Sequence, residues 1–250
     1  MRKLIAVVGT FLSFGCSILF SQPYVISTVA GTNRLLDGNS ASSVPLRSPL
    51  ALALDSGGNL YIADQVDDRI RKVTSSGIIT TLAGNGIAGY SGDRGKAMAA
   101  SLSDPVGLAA DTSGNLYIAD RGNARVRRVS PDGTINTFAG SGVTGFSGDN
   151  GPALLAHIDP TAVAVDGKGN VFIADGDNFR IRKVDSNGVI TTIAGTGNAG
   201  YGGDNGPASS ALISSSRTSR LLSRALGATA DGMTRYLVSS QSMILPTAPS

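Results

Sequence analysis

Three loops of this sequence place an aromatic residue three positions before an aspartate on a glycine-rich frame. The loops span residues 89–95, 145–151 and 200–206, and their aromatic and acidic residues are Tyr90 and Asp93, Phe146 and Asp149, and Tyr201 and Asp204. An aromatic ring can stack on a sugar or a peptide, and a neighbouring carboxylate can accept hydrogen bonds from the same ligand. This pattern favours a shallow surface that binds a protein or a glycan.

The same loops allow two other interpretations. Because every unit carries them, the ring can pack over a junction between units while the aspartate caps the turn that follows. A calcium ion is the third possibility, since Asp93, Asp149 and Asp204 offer oxygen ligands. No loop places three carboxylates at EF-hand spacing, so we predict no metal and no other cofactor.

A second set of polar residues surrounds a short turn in each unit. An aspartate is followed five positions later by an arginine, and we predict an ion pair within each unit. The pairs are Asp64 with Arg69, Asp120 with Arg125, and Asp175 with Arg180. The turns between them contribute Asp68, Asn123 and Asn178, which we add to the candidate partner-binding residues.

These residues recur because the chain repeats itself. Four similar segments end at Gly31, Gly84, Gly140 and Gly195, which are 53, 56 and 55 residues apart. One unit contains four runs typical of strands, at residues 50–54, 60–64, 69–73 and 78–82, separated by turn residues. Each unit thus predicts a four-stranded antiparallel meander, in which the second-to-third-strand turn and the loop to the next unit emerge at the same end.

The second run of each unit is apolar on both faces. Leu60 and Ile62 point to one side, and Tyr61 and Ala63 point to the other. A strand that is buried on both faces of a small antiparallel sheet must lie between two neighbouring sheets. We therefore predict an all-β fold, a partial β-propeller with about three complete four-stranded blades.

The repeated motif resembles a known family. The run Gly-Asn-Leu-Tyr-Ile-Ala-Asp, followed by Asn-x-Arg-Val/Ile-Arg-Arg/Lys-Val, is similar to the NHL repeat and occurs at residues 58–73, 114–129 and 169–184. The first copy has Asp67 where the others have Asn123 and Asn178. This resemblance implies a propeller, commonly of six blades, but the family includes binding scaffolds, nucleic-acid binders and a few lyases, so it implies no single function.

The sequence offers no recognisable catalytic constellation. Lyases that resemble this family bind zinc through several histidines, whereas this chain has only His157; propeller lactonases use a glutamate, and the chain has none. No Gly-x-Ser-x-Gly motif accompanies His157. We predict a non-catalytic binding scaffold, and the alternative is a fragment of a propeller lyase or hydrolase whose catalytic blades are missing.

Residues 1–21 have the pattern of a secretory signal peptide. Arg2 and Lys3 precede an apolar run, and Ser21 marks the expected cleavage site. We therefore predict an extracytoplasmic protein with no stable membrane span after signal removal. Cys16 is the only cysteine and lies inside this segment, which excludes disulfides from the mature protein.

The basic charge does not indicate a nucleic-acid partner. The net charge is +3, but the excess of cations lies at the two ends: residues 1–21 have two cations and no acidic residue, residues 216–250 have four cations and one aspartate, and residues 22–215 have 15 cations against 17 aspartates. The arginine-rich third strands, at residues 69–72, 125–128 and 180–183, are expected to form a solvated face near the outer rim.

The repeat breaks after residue 214. We assign residues 22–214 to the propeller and residues 215–250 to a tail that is disordered or results from a shifted reading frame. Residues 226–238 resemble the strand-turn-strand opening of a unit only weakly. Because an incomplete ring leaves apolar blade faces uncovered, self-association through open blade edges is a further prediction.

Overall fold

The computed structural model describes residues 35–214. The predicted signal peptide (1–21), the strand expected at residues 25–30 and the tail (215–250) lie outside the described residues. Within the described range, the regular structure consists of three antiparallel sheets and short 3-10 turns. This arrangement confirms the all-β partial propeller with three blades.

Each sheet is built from consecutive strands. Blade 1 comprises β1 (Asn39–Ser40), β2 (Pro49–Leu54), β3 (Leu60–Asp64), β4 (Arg69–Val73) and β5 (Ile78–Ala83); blade 2 comprises β6 (Gly95–Lys96), β7 (Pro105–Ala110), β8 (Leu116–Asp120), β9 (Arg125–Val129) and β10 (Thr134–Ala139); blade 3 comprises β11 (Gly151–Pro152), β12 (Pro160–Val165), β13 (Val171–Asp175), β14 (Arg180–Val184) and β15 (Val189–Ala194). The four long strands of blade 1 begin and end within one residue of the predicted runs.

Each blade has one more strand than the sequence predicts. In blade 2 the strand order is β6-β10-β9-β8-β7, so the two-residue strand β6 lies outside the last long strand. Its residues pair with β10, Gly95 opposite Ile135 and Lys96 opposite Thr134. A strand of two residues, Gly and Lys, is too short to show an alternation of apolar and polar residues. Its pairing is therefore visible only in the folded chain.

The turn between the first two long strands is stabilised by an aspartate. In blade 1, Asp55 Oδ1 accepts hydrogen bonds from the backbone N–H groups of Gly57 and Asn59, both at 2.9 Å, and Asp55 Oδ2 accepts one from Asn59 Nδ2 at 2.7 Å. Gly58 has a φ of +76°, which favours glycine. Burial raises the pKa of Asp55, but the hydrogen bonds outweigh it and the net pKa is lowered.

The core lies between the blades. The second strand of blade 2 is buried on both faces, as predicted, since Leu116 and Ile118 are covered on one side and Tyr117 and Ala119 on the other. Inner strands approach closely: a Cβ at Gly107 would lie 2.8 Å from Ala162 Cα in the next blade. This tight packing fixes the relative positions of the blades and of the loops between them.

Candidate binding face

We call the segments 89–95, 145–151 and 200–206 the aromatic loops. The first two belong physically to the blade that follows each of them, because the first loop continues into β6 on the outer edge of blade 2 and the second continues into β11 on the outer edge of blade 3. Asn123 Nδ2 donates a hydrogen bond to Gly89 O at 2.7 Å, and Asn178 Nδ2 donates one to Gly145 O at 2.7 Å. The turns and the aromatic loops therefore emerge at the same end of the blades, which confirms the predicted topology.

Two of the aromatic rings, Tyr90 and Phe146, stack on arginines of the third long strand. The guanidinium carbon of Arg125 lies 3.8 Å from the centre of the Tyr90 ring, and that of Arg127 lies 4.9 Å from it. Phe146 lies 3.7 Å from Arg180 and 4.8 Å from Arg182 in the same manner. Each ring is thus held by a pair of cations, an interaction that stabilises by about 0.5–2 kcal/mol per contact.

The second arginine of each third strand is buried. The Arg127 side chain is 0% exposed, and it lies 2.7 Å from Asp93 Oδ1 and 3.4 Å from Asp120 Oδ2. It also donates to Ser91 O at 3.0 Å. One guanidinium therefore joins the aromatic loop to the end of β8, and two carboxylates compensate its charge.

Blade 3 repeats this arrangement. Arg182 is 0% exposed, lies 3.3 Å from Asp175 Oδ2 and donates to Ser147 O at 2.9 Å. Asp149 Oδ1 lies 2.6 Å from Arg182 Nη2, an ion-pair contact that does not align as a hydrogen bond. In blade 1, Arg71 is paired with Asp37 at 2.7 Å.

The expectation that these third-strand arginines form a solvated face is therefore wrong for one arginine in each blade. Arg71, Arg127 and Arg182 rank among the largest fully buried side chains of the described residues. They can be buried because each faces an aspartate from the loop that precedes its blade. A guanidinium with several fixed acceptors tolerates the loss of water better than an ammonium group does.

The predicted ion pairs with the first arginine of each strand are also not formed. Asp120 and Arg125 lie opposite each other in register, but Arg125 donates to Asn123 O at 2.9 Å and to Ser141 O at 2.8 Å. Asp120 instead accepts from Ser103 N at 2.7 Å. The first arginine satisfies loop carbonyls, and the aspartate satisfies the N–H groups at the start of the inner strand.

The same replacement holds in the other two blades. Asp64 accepts hydrogen bonds from Arg47 N at 3.0 Å and Ser48 N at 2.8 Å, whereas Arg69 donates to Asn85 O at 2.6 Å. Asp175 accepts from Asp159 N at 2.7 Å, and Arg180 donates to Thr196 O at 2.9 Å. Because these contacts are internal, the residues act in holding loops and strands together.

Burial dominates the ionisation of the inner aspartates. It raises the pKa of Asp120 to about 6, even though hydrogen bonds from Ser103 and Asn123 and the charge of Arg127 act in the opposite direction. The pKa of Asp175 is raised for the same reason. At Asp93 burial also raises the pKa, but hydrogen bonds from Thr137 and Tyr90 and the Arg127 charge outweigh it, and the net pKa is lowered.

The turn residues also have internal partners. Besides its contact with the aromatic loop, Asn123 Nδ2 donates to Asp120 Oδ2 at 2.8 Å, and Asn178 makes the equivalent bond to Asp175. Asp68 does not occupy their position: it is the left-handed residue after the turn, with φ of +47°, and its Oδ1 accepts from Asp104 N at 2.9 Å. Partner binding by these three residues stays a prediction.

The aromatic rings remain partly open to solvent despite their internal contacts. Tyr90 is 44% exposed, Phe146 is 40% exposed and Tyr201 is 50% exposed. The third loop, with Tyr201 and Asp204, is linked to residue 212 through a bridge between Gly202 and Leu212. These rings are the part of the predicted surface that a partner can reach.

Comparisons with known proteins agree with this architecture. A family model described as the teneurin NHL domain matches residues 88–145 and again residues 143–209. Teneurin-3 of Danio rerio is 31% identical over 198 residues, and Teneurin-4 of Homo sapiens is 38% identical over 114 residues. This chain belongs to the NHL-repeat β-propeller family.

The NHL propeller matches only small parts of these relatives. The alignment with Danio rerio Teneurin-3 covers 70% of this chain and 7% of that protein, and the alignment with human Teneurin-4 covers 40% and 4%. A solved protein of unknown function from Bacteroides thetaiotaomicron superposes with a TM-score of 0.51 at 25% identity, over 66% of this chain and 40% of that one. These matches support the fold and leave the partner open.

The NHL propeller has a further polar cluster that the sequence did not reveal. At the junction of blades 2 and 3, Arg121 Nε lies 3.4 Å from Asp159 Oδ1, and Arg121 Nη2 lies 3.5 Å from Asp177 Oδ2. Burial raises the pKa of Asp159, and the hydrogen bond and charge of Asp177 raise it further. Gln65 contacts Asp104 at the preceding junction. Residues before the inner-strand proline thus link neighbouring blades.

The structure offers no support for a metal centre in its described part. No group of three or more His, Cys, Asp or Glu side chains that could hold a metal occurs among residues 35–214. The carboxylates of Asp93 and Asp149, two of the three calcium candidates, face buried arginines instead. Over the same range, no helix combines the length and apolar character that spanning a bilayer requires.

Proposed function

We propose that this NHL propeller is a non-catalytic scaffold that holds a protein or glycan partner on the face of its aromatic loops. One observation carries the proposal: Tyr90, Phe146 and Tyr201 occupy equivalent positions of successive loops, and each is between 40% and 50% exposed. A ring that is fixed on one side and open on the other can pack on a sugar or an apolar side chain.

The arginine network strengthens this argument because it fixes two of the rings, Tyr90 and Phe146, before a partner arrives. Tyr90 Oη donates to Asp93 Oδ2 at 2.8 Å and lies 3.0 Å from Thr137 Oγ1, while its ring rests on Arg125. A preorganised side chain loses little conformational freedom on binding. Weak contacts from several blades then add as avidity when one partner spans them.

We place this scaffold outside the cytoplasm, following the predicted signal peptide at residues 1–21. Beneath the rings, the positive charges of Arg127 and Arg182 are paired with the carboxylates of Asp93 and Asp149. Little net charge is therefore left to attract a nucleic acid.

The test compares the full chain with a variant that carries Tyr90→Leu, Phe146→Leu and Tyr201→Leu. Both are immobilised and exposed to the extracytoplasmic protein fraction of the producing organism and to a printed glycan array. The matched control carries Ser75→Ala, Pro131→Ala and Ser186→Ala, three exposed sites in the turns at the opposite end of the blades. Urea unfolding must remain cooperative in all three proteins.

We expect a partner that the wild-type chain and the control retain and that the ring variant loses. Equal retention by the ring variant would place the contact elsewhere on the propeller. Failure of the wild-type chain to retain any protein or glycan on either probe would contradict the scaffold proposal itself.

A further inference from the structure

An exposed aliphatic side chain precedes each of the first two aromatic loops. Ile87 is 67% exposed and lies three positions before Tyr90, and Val143 is 50% exposed and lies three positions before Phe146. The third loop has Asn198 at the same position. Blades 2 and 3 therefore each present an aliphatic and an aromatic side chain to solvent, one short step apart along the chain.

An arginine connects the ring of the first loop to the segment that leads into the second. The guanidinium of Arg125 lies 3.8 Å from the centre of the Tyr90 ring, and its Nη2 donates to Ser141 O at 2.8 Å. It also packs against Gly142, where an added Cβ would collide with it. Arg125 is thus in contact both with the Tyr90 ring and with the backbone next to Val143.

Blade 3 repeats this connection. The guanidinium of Arg180 lies 3.7 Å from the centre of the Phe146 ring, donates to Thr196 O at 2.9 Å and leaves no room for a Cβ at Gly197. The contacts therefore join exposed apolar side chains and guanidinium groups into one continuous surface. We call it the apolar–arginine stripe, and it consists of Ile87, Tyr90, Arg125, Val143, Phe146 and Arg180.

The amide side chains beside this stripe are already used inside the protein. Asn123 Nδ2 has two N–H groups, and it donates to Gly89 O at 2.7 Å and to Asp120 Oδ2 at 2.8 Å. Asn178 Nδ2 makes the two equivalent bonds, to Gly145 O and to Asp175. These amides have no N–H group left to donate to a ligand.

The carboxylate of the first aromatic loop is also engaged. Asp93 Oδ1 lies 2.7 Å from Arg127, and Oδ2 accepts from Tyr90 Oη at 2.8 Å, which itself lies 3.0 Å from Thr137 Oγ1. A sugar carries hydroxyl groups that need hydrogen-bond partners when water is removed. At this surface such hydroxyl groups would have to compete with internal bonds, whereas the apolar side chains are open to contact.

The two arginines of the stripe carry a charge that no carboxylate compensates. Neither Arg125 nor Arg180 forms an ion pair among residues 35–214, whereas Arg127 is paired with Asp93 and Asp120. Both are partly exposed, and the hydrogen bonds of Arg125 go to the backbone carbonyls of Asn123 and Ser141. An acidic side chain of a partner would complement this charge.

We propose that the apolar–arginine stripe binds a peptide segment of a partner protein in which apolar side chains lie next to Asp or Glu. The apolar side chains pack on the aliphatic and aromatic members of the stripe, and a carboxylate approaches Arg125 or Arg180. A nucleic acid needs many phosphate contacts, and the stripe offers only two uncompensated cations. This inference rests on the proposed function and narrows its partner from a protein or a glycan to an acidic, apolar peptide segment.

The first test presents a phage-displayed library of random peptides and a printed glycan array to the immobilised full chain. We expect the retained peptides to combine apolar residues with Asp or Glu, and we expect no glycan to be retained. Retention of a glycan, or of peptides without this pattern, would overturn the inference and leave the scaffold proposal standing. Retention of neither peptide nor glycan would contradict the scaffold proposal as well.

The second test removes the aliphatic members of the stripe. The variant Ile87→Asn with Val143→Asn copies the residue that the third loop has at Asn198, and the matched control is Ala88→Asn with Thr144→Asn, at the exposed neighbouring positions. Both are titrated with a synthetic copy of the most enriched peptide, after urea unfolding has verified that they fold. We expect about tenfold weaker binding to the first variant and unchanged binding to the control, because only the first loses apolar contact. Equal affinity for the two variants would overturn the inference.

The third test addresses the charge. The same synthetic peptide is compared with a version in which every Asp is replaced by Asn and every Glu by Gln, both titrated against the wild-type chain at low and high salt. We expect the amide version to bind about tenfold more weakly, and we expect salt to weaken only the acidic peptide. Equal affinity of the two peptides would overturn the role assigned to Arg125 and Arg180.

Discussion

The guanidinium of Arg127 and the carboxylate of Asp120 lie 3.4 Å apart, and neither side chain is exposed to solvent. Asp93, from the aromatic loop that precedes the blade, contacts the same guanidinium at 2.7 Å. Two carboxylates on different elements thus share one buried cation. This arrangement recurs at Arg182 with Asp149 and Asp175, so the propeller fastens the first two aromatic loops to the blades that follow them in the same way.

The buried carboxyl of Asp120 makes stability depend on pH. Burial raises its pKa from 3.8 to about 6, against the opposing effects of Ser103, Asn123 and Arg127. Since the folded-state pKa is higher than the unfolded one, this group's contribution is fully present below about pH 4 and is lost as the pH rises through about 6. We expect the free energy of unfolding of wild type, relative to Asp120→Asn, to increase from pH 7 to pH 4 in urea titrations.

The control for this experiment is Thr112→Ala, which changes an exposed turn residue that carries no titratable group. Its difference from wild type should vary little over the same range of pH. A wild-type advantage over Asp120→Asn that stays constant, or shrinks toward acid, would contradict the raised pKa.

Removal of the buried cation should be strongly destabilising. Arg127→Met leaves Asp93 and Asp120 without their shared partner, and we expect a loss of about 3–5 kcal/mol in the free energy of unfolding. The double variant Arg127→Met with Asp120→Asn should lose less than the sum of the single changes, since it removes a buried charge that has become unpaired. Arg94→Met, at an exposed position of the same loop, serves as the control. Additive effects in urea unfolding would argue against direct coupling.

The stacked ring and its hydroxyl can be separated by substitution. Tyr90→Phe removes the hydrogen bonds to Asp93 and Thr137 but keeps the stack on Arg125, so we expect a loss of about 0.5–1.5 kcal/mol. Tyr90→Leu should lose about 0.5–2 kcal/mol more, because the cation–π contact disappears as well. Blade 3 provides the natural comparison, since Phe146 stacks on Arg180 without a hydroxyl. If Tyr90→Phe and Tyr90→Leu proved equally stable, the stack would contribute nothing.

Two glycines of blade 1 distinguish backbone strain from steric conflict. Gly77 has φ of +80° with no atom within 4 Å of an added Cβ, whereas Gly84 has φ of +90° and its Cβ would lie 2.2 Å from Asp68 O. We expect Gly77→Ala to cost about 1–2 kcal/mol from the left-handed conformation. Gly84→Ala should cost at least about 1–3 kcal/mol more, because backbone must move.

Thermal unfolding of the two alanine variants measures this difference. A similar loss for both would mean that the loop after β5 relaxes freely around the new methyl group. It would also weaken the view that the aromatic loops are held rigidly against the turns.

Much of the architecture was predictable from the repeat. The alternation in residues 60–64 identified a strand buried on both faces, and the turn residues around Asp55 marked where β2 ends and β3 begins. Local patterns of this kind are written in consecutive residues, so they can be interpreted without the rest of the chain. The short strand β6 could not be predicted, because two residues are too few to show a periodic pattern of apolar and polar side chains.

The candidate site was only partly predictable. Tyr90 and Asp93 were identified as a pair, but nothing in the sequence distinguishes Arg127 from Arg125 as the partner of Asp120. Both arginines lie on the same face of β9. In the folded chain Arg125 binds the carbonyl of Ser141 and Arg127 binds the carbonyl of Ser91, and only these loop positions determine that Arg127 is the buried one. One signal was available: an aspartate precedes the buried arginine by 34 residues in blades 1 and 2.

By itself, the sequence determined the strands, the turns and their repetition, because these depend on neighbours a few residues apart. The tertiary structure alone decided which charges are buried together and which apolar face is covered by no blade among residues 35–214. The physical reason is that both features depend on contacts between distant parts of the chain. Asp93 contacts Arg127 only after the aromatic loop has folded across the next sheet. The exposure of Leu52 depends on whether another element packs against β2.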